Sequence, residues 1–290
     1  MTIPIVAQGP SAIEPADGRT LSPEDWAALA LAVQLLEKTS LATRLTQILG
    51  RQLKLATSLV PQRLAGTVSR AVTHALRVAL KTAIRSLGQA PAEKAATPFA
   101  HRAMAVASGA AGGALGLASL PIELPISTTL MLRSIADEAR SQGEDLSSPD
   151  AVLACMEVFA LGGGGPGEDS WESGYFAVRG LLAKTLSEAT RYMLNRGLVE
   201  EGAPALVRLV SLIGARFGAV VTQKALAQAI PVIGAVSGGA INYAFMEHFQ
   251  NVARGHFTVR RLERALGAST VRAAYEQIRL SQAGDQARPM

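Results

Sequence analysis

The sequence predicts an all-α protein, built as a single multi-helix globular domain of about nine to eleven helices. Apolar residues recur at helical spacing along most of the chain, strand patterns are scarce, and helix start signals precede several apolar stretches. Of the 290 residues 49% are hydrophobic and 18% charged, which favours a sizeable packed core over intrinsic disorder. Because Cys155 is the single cysteine, a fold stabilised by disulfide bonds within the chain is excluded.

Both ends of the chain are expected to be flexible tails. Residues 1–20 hold three prolines and two glycines and lack the basic and apolar regions of a secretory signal. Residues 281–290 have a similar composition. The helical domain is therefore expected over 21–280, with a basic amphipathic subregion at 21–92 and a glycine-rich helical core at 99–280. The lone cysteine and the lack of an export signal predict a cytoplasmic protein.

Helix signals divide the domain further. Ser22 as a cap and Pro23 at the first helical position predict a helix that runs towards Lys38. A second helix is expected at 41–59 and a third at 62–87, before a linker at 88–98 rich in alanine and proline. Gly162–Gly167 is expected to be a flexible loop. Later helices are predicted at 151–161, 175–196, 203–213, 217–229, 233–254, 260–266 and 270–280.

The third predicted helix is cationic on one face. Its basic side chains fall at spacings of three, four and seven residues: Arg63, Arg70, His74, Arg77, Lys81 and Arg85. Leucine, valine and alanine line another face. Two interpretations fit: a helix packed on the core with a solvated charged face, or a helix lying on an anionic membrane surface.

Charge is segregated along the chain. Residues 38–92 contain no Asp or Glu, residues 133–172 hold nine acids against two arginines, and the C-terminal part is basic again. A basic surface suits nucleic acid, anionic lipid or an acidic partner. Because residues 38–92 contain no aromatic side chain for base stacking, single-stranded nucleic acid and RNA are disfavoured. Duplex DNA stays an alternative, since phosphate contacts need only charge, but no nucleic-acid partner is expected.

Two apolar central segments, 103–122 and 225–246, are free of charge and rich in glycine and alanine, and each is about long enough to cross a bilayer. Glycines at GxxxG spacing suggest close helix packing. These candidate packing residues are Gly109, Gly112, Gly113, Gly116, Gly234, Gly238 and Gly239. A buried hairpin pair, reversible membrane insertion and a permanent span remain alternatives.

Glu123 and Asn242 are isolated polar residues in or beside these segments. If buried, each must find a partner or change protonation. We hypothesise that Glu123 pairs with Arg179, Lys224 or Arg254 and so locks the two glycine-rich segments together.

No constellation for chemistry is apparent. Cys155 lies in an apolar helix, where cysteine is usually a small hydrophobe. Glu247, His248 and His256 lack the spacing of a metal site, and no glycine cluster fits a nucleotide-binding motif. No catalytic, cofactor-binding or metal-binding residues are therefore predicted.

Several stretches resemble the EcsC family of bacterial proteins. They are the region at 120–144, AVLACMEVFALGG at 151–163, SGYFAVR at 173–179 and, most strongly, the region at 215–267. The resemblance covers about residues 23–280. It implies an all-helical fold without established chemistry, and a context at the cytoplasmic face of the membrane, beside an ABC transporter or protein secretion.

The leading hypothesis is thus a non-enzymatic, peripheral membrane protein whose cationic helix binds anionic lipid. A soluble carrier that encloses a lipid or another apolar ligand is the first alternative. A hydrolase that uses Cys155 or a Glu/His site is the second.

Overall fold

The computed structural model describes residues 20–37, 41, 62–86, 103–104, 106–107, 119–163, 174–196, 203–228 and 234–286. All regular structure within these ranges is helical, which confirms the predicted all-α class. The eight helices are α1 (Pro23–Glu37), α2 (Gln62–Ser86), α3 (Leu120–Ser141), α4 (Pro149–Leu161), α5 (Tyr175–Arg196), α6 (Pro204–Gln228), α7 (Gly234–Leu266) and α8 (Ala268–Gln286).

The predicted number of helices, nine to eleven, is a slight overestimate for the described residues. The helices predicted at 203–213 and 217–229 form the continuous α6, and those predicted at 233–254 and 260–266 form the continuous α7. Helix α7 continues through Gly255. This glycine permits a close contact between α7 and α1. A Cβ atom there would lie 2.7 Å from Cγ of Leu36 in α1. The helix predicted at 41–59 lies outside the described residues beyond Leu41.

Helix α3 is not predicted from the sequence, and its two prolines explain the omission. Pro121 lies in the first turn, where the backbone N–H has no partner within the helix, and Pro125 follows one turn later. The helix ends where Gly143 adopts a φ of 78°, while the Glu144 N–H donates to the carbonyl of Ala139 at 3.0 Å. Proline near a helix start is therefore compatible with the helix that follows.

Helix α4 forms the centre of the molecule. Every side chain from residue 151 to residue 160 is buried, and α3, α5, α6 and α7 pack around it. Helix α2 packs on α3 and α6, while α1 and α8 pack on α7 and on each other. A second apolar cluster fills the space between α1, α8 and the C-terminal half of α7.

The loop predicted at Gly162–Gly167 is packed where the structure describes it. Gly162 and Gly163 are buried, and a Cβ atom on Gly163 would lie 2.6 Å from the backbone carbon of Arg216 in α6. Gly163 therefore allows the end of α4 to approach α6, whereas a Cβ atom on Gly162 would lie 2.6 Å from a ring carbon of Phe249 in α7. Residues 164–167 lie outside the described part of the chain.

Candidate functional site

The cationic face of α2 is on the surface. Arg70, His74, Arg77 and Arg85 are exposed and Lys81 is half-buried, whereas Arg63 has a described backbone but no described side chain. The opposite face is in the core, with Val68, Val72, Leu76, Leu80 and Ala83 buried. Among the described residues, no carboxylate lies within ion-pairing distance of Arg77 or Arg85.

The C-terminal arginines differ from those of α2, because acidic residues neutralise them. Arg260 in α7 makes a two-pronged contact with Glu144, at 2.9 and 3.2 Å, and also contacts Asp150 at 2.8 Å. Arg264 contacts Glu144 as well, and Arg254 pairs with Glu138 at 3.3 Å. The acidic segment around the end of α3 thus binds the arginines of α7.

Burial and charge have opposite effects on Glu144. Burial raises the pKa of its carboxyl, but the hydrogen bonds and charges of Arg260 and Arg264 outweigh burial and hold the pKa below its ordinary value. The carboxylate is therefore ionised at neutral pH, and the network joins α7 to the loop between α3 and α4.

Glu123, Lys224 and Asn242 form a buried polar triad that joins three helices. Lys224 Nζ, in α6, donates to Oε1 of Glu123 in α3 at 2.6 Å and to Oδ1 of Asn242 in α7 at 2.6 Å. The Asn242 side-chain amide donates to the same Glu123 oxygen at 3.0 Å. All three residues are buried, and of the three cations considered for Glu123 the structure places Lys224 beside it.

The ion pair of the triad carries a large desolvation cost, because both charges are buried away from water. Burial lowers the pKa of Lys224, and the charge and hydrogen bond of Glu123 oppose that effect. Removal of either partner would leave an isolated charge in the core. The triad therefore couples the positions of α3, α6 and α7, because each helix supplies one member of the triad.

The other two candidate cations for Glu123 have different partners. Arg179 in α5 makes a two-pronged contact with Glu263 in α7, at 2.8 and 3.0 Å. Arg254 pairs with Glu138 as described above. The hypothesis that Glu123 pairs with one of these three cations therefore holds through Lys224.

A second buried polar chain was not predicted. The Tyr175 hydroxyl lies 3.0 Å from Nδ1 of His256, and Nε2 of His256 lies 3.8 Å from a carboxyl oxygen of Glu157 in α4. Burial raises the pKa of Glu157 to about 7 and lowers that of His256 well below its ordinary value. Glu157 interrupts the apolar stretch LACMEVFAL at 153–161, and an isolated charge in an apolar stretch is the same kind of signal that singled out Glu123.

The candidates for a thiol or metal site are not arranged for chemistry. Cys155 is fully buried in α4, and burial raises the pKa of its thiol, so a reactive thiolate is disfavoured. His248 contacts the carbonyl of Gly162 at 2.8 Å through Nε2, while His256 contacts Tyr175. Within the described ranges, no group of three or more His, Cys, Asp or Glu residues could hold a metal ion.

The two glycine-rich segments are only partly described. Gly109, Gly112, Gly113 and Gly116 lie outside the described residues. Gly234 begins α7, and Gly238 and Gly239 are buried within it. Residues 225–246 are divided between the end of α6 and the start of α7, with 229–233 not described.

One described helix, at Pro204–Leu226, is long and apolar enough to cross a membrane. It overlaps the segment predicted at 225–246 only in its last two residues. Core helices of soluble proteins satisfy the same criteria of length and composition.

Comparison with known proteins identifies the family of the chain. The family model described as EcsC protein family matches residues 24–262, well over half of the chain. No curated protein and no solved structure matches the chain significantly.

Proposed function

The chain belongs to the EcsC protein family, and we propose that it binds the anionic surface of a membrane through the cationic face of α2. The observation that carries the proposal is the different situation of the two arginine-rich regions. The arginines of α7 are neutralised by acidic residues. In α2, by contrast, Arg77 and Arg85 are exposed and have no carboxylate partner among the described residues. Unneutralised cations on a surface helix attract phosphate head groups.

The packing of α2 suits such contact. Its apolar face is buried against α3 and α6, so the helix need not unfold or detach to present its cations. Lysine or arginine near an anionic leaflet contributes about 1 kcal/mol each, so binding depends on several cations together. The resulting association is peripheral, reversible and sensitive to salt.

Paired charge variants test the proposal by co-sedimentation with anionic vesicles. The variant Arg77→Gln/Arg85→Gln should lower the partition coefficient roughly 30-fold, from about 2 kcal/mol of lost attraction. The control Arg208→Gln/Arg254→Gln removes two exposed but ion-paired arginines and so changes the net charge equally. Equal binding by the two variants would show that α2 is not the contact surface.

An association with transporter subunits, implied by the family resemblance, is a separate proposal about a protein partner. Pull-down of the tagged chain from native membranes, followed by identification of co-purified membrane subunits, tests that partner directly. Recovery of lipid alone would favour the lipid surface as the sole partner.

A further inference from the structure

The first two turns of α3 have an inverted arrangement of polar and apolar residues. Ile122 is 72% exposed and Ile126 is 50% exposed, while Glu123 between them is only 4% exposed. Soluble helices usually bury isoleucine and expose glutamate. Here Pro121 is exposed as well, so the outer surface of these turns carries no charge.

The buried triad fixes this orientation. Glu123 accepts hydrogen bonds from Lys224 and Asn242 inside the molecule, and Leu120 and Leu124 are buried beside it. Ile122 and Ile126 are four residues apart, so they share one helix face and must point outward when Glu123 points inward. The isoleucines are therefore held on the surface by contacts beneath them.

The two exposed leucines of α5 do not form a comparable patch. Leu181 and Leu194, both in α5, are 60% and 65% exposed, but their separation of thirteen residues places them on different faces of the helix. Singly exposed apolar side chains are common on soluble proteins. The isoleucine pair differs because its members are neighbours and because a buried charge sets their direction.

The neighbouring charge favours an anionic bilayer as the occupant. Helix α3 packs on α2, whose exposed arginines suit an anionic surface. Pro121, Ile122 and Ile126 together are far too few for a stable protein interface, which takes roughly 20–30 residues on each side. A bilayer needs no complementary shape, and a few apolar side chains can enter it beneath the head groups.

We propose that Ile122 and Ile126 form an apolar tip that enters the acyl region of an anionic bilayer while α2 holds the head groups. This inference rests on the proposed function and names the second contact of the same membrane surface. The triad serves as the positioning element, because it keeps the two isoleucines outside the core.

The first test locates the tip with a fluorophore. Because Cys155 is fully buried, an environment-sensitive dye can be attached at Ile122→Cys without removal of the native cysteine. On anionic vesicles the dye should shift to the blue and be quenched by lipids with quenchers on their acyl chains. The same dye at Leu181→Cys is the matched control and should show neither effect.

The second test measures binding. Ile122→Ser/Ile126→Ser should lower partition into anionic vesicles roughly 100-fold, about tenfold for each isoleucine that enters hydrocarbon. Leu181→Ser/Leu194→Ser, which removes two equally exposed leucines, should bind like the unaltered protein.

The outcomes separate this inference from the proposed function. Undiminished binding by the isoleucine variant, with an unquenched dye, would overturn the apolar tip and leave the role of α2 intact. Equal, isoleucine-dependent binding to neutral vesicles would support the tip and contradict the role of α2. No binding to any vesicle would overturn both, and a change in oligomeric state caused by the isoleucine variant without vesicles would assign the patch to a second copy of the chain.

Discussion

Replacement of Glu123 by glutamine should destabilise the protein strongly, because Lys224 would lose its anionic partner and would have to hold an isolated charge in the core or give up its proton. Loss of one member of a buried ion pair costs about 3–5 kcal/mol. We expect about 3 kcal/mol, the lower end of that range, because Asn242 still accepts a hydrogen bond from Lys224 at 2.6 Å. For a chain of this size, that corresponds to a melting temperature lower by about 6 °C.

Urea unfolding followed by circular dichroism measures this loss. The matched control is Glu188→Gln, which removes one partner of the surface pair between Arg208 and Glu188, with side chains 60% and 31% exposed, and should cost less than about 1 kcal/mol. The double variant Glu123→Gln/Lys224→Met removes both buried charges and should recover most of the stability. If Glu123→Gln is no more destabilising than the control, the triad does not hold the three helices together.

Three further predictions concern other parts of the core. Because burial raises the pKa of Glu157 from 4.5 to about 7, its contribution to stability is complete below pH 4.5 and is lost as the pH rises through 7. Glu157→Gln should remove this decline of the unfolding free energy at rising pH. The lowered pKa of His256 instead lowers the unfolding free energy as the pH falls below 6.5. Gly163→Ala should cost about 1–3 kcal/mol through its contact with α6, whereas Gly180→Ala, with nothing within 4 Å, should stabilise α5. Cys155 should react with a thiol reagent only after unfolding, and rapid reaction of the native protein would contradict its complete burial.

Helix caps and apolar spacing predict the helices that start with clear signals. The prediction of α1 from Ser22 and Pro23 holds, and the Asp25 N–H donates to the Ser22 hydroxyl at 3.1 Å. The boundaries of α5 agree with the prediction as well. Local sequence fails where a glycine serves a contact between helices, as at Gly255, because the contacting helix α1 is distant in the chain.

The partner of Glu123 also depends on contacts that are distant in the chain. An isolated charge beside an apolar segment suggests that Glu123 is buried, but the sequence leaves three cations as equal candidates for its partner. The three-dimensional arrangement of α3, α6 and α7 brings Lys224 within 2.6 Å of Glu123 and so selects it. Likewise, Glu157 and His256 are 99 positions apart in the printed sequence, and the contact between α4 and α7 brings them together.

The sequence alone also does not predict that Ile122 is exposed. An isoleucine at the end of a charge-free segment suggests a buried residue or a membrane span. Its actual direction follows from Glu123, whose partners lie 101 and 119 residues further along the chain. Long-range polar contacts thus determine which local apolar residues reach the surface.

The most direct measurement of the central claim is the partition of the unaltered protein between buffer and vesicles of two compositions, neutral and anionic, at low and high salt. We expect strong binding to anionic vesicles at low salt, a large loss of binding at high salt, and little binding to neutral vesicles. Absence of binding to anionic vesicles at low salt would contradict a membrane role for the cationic face of α2.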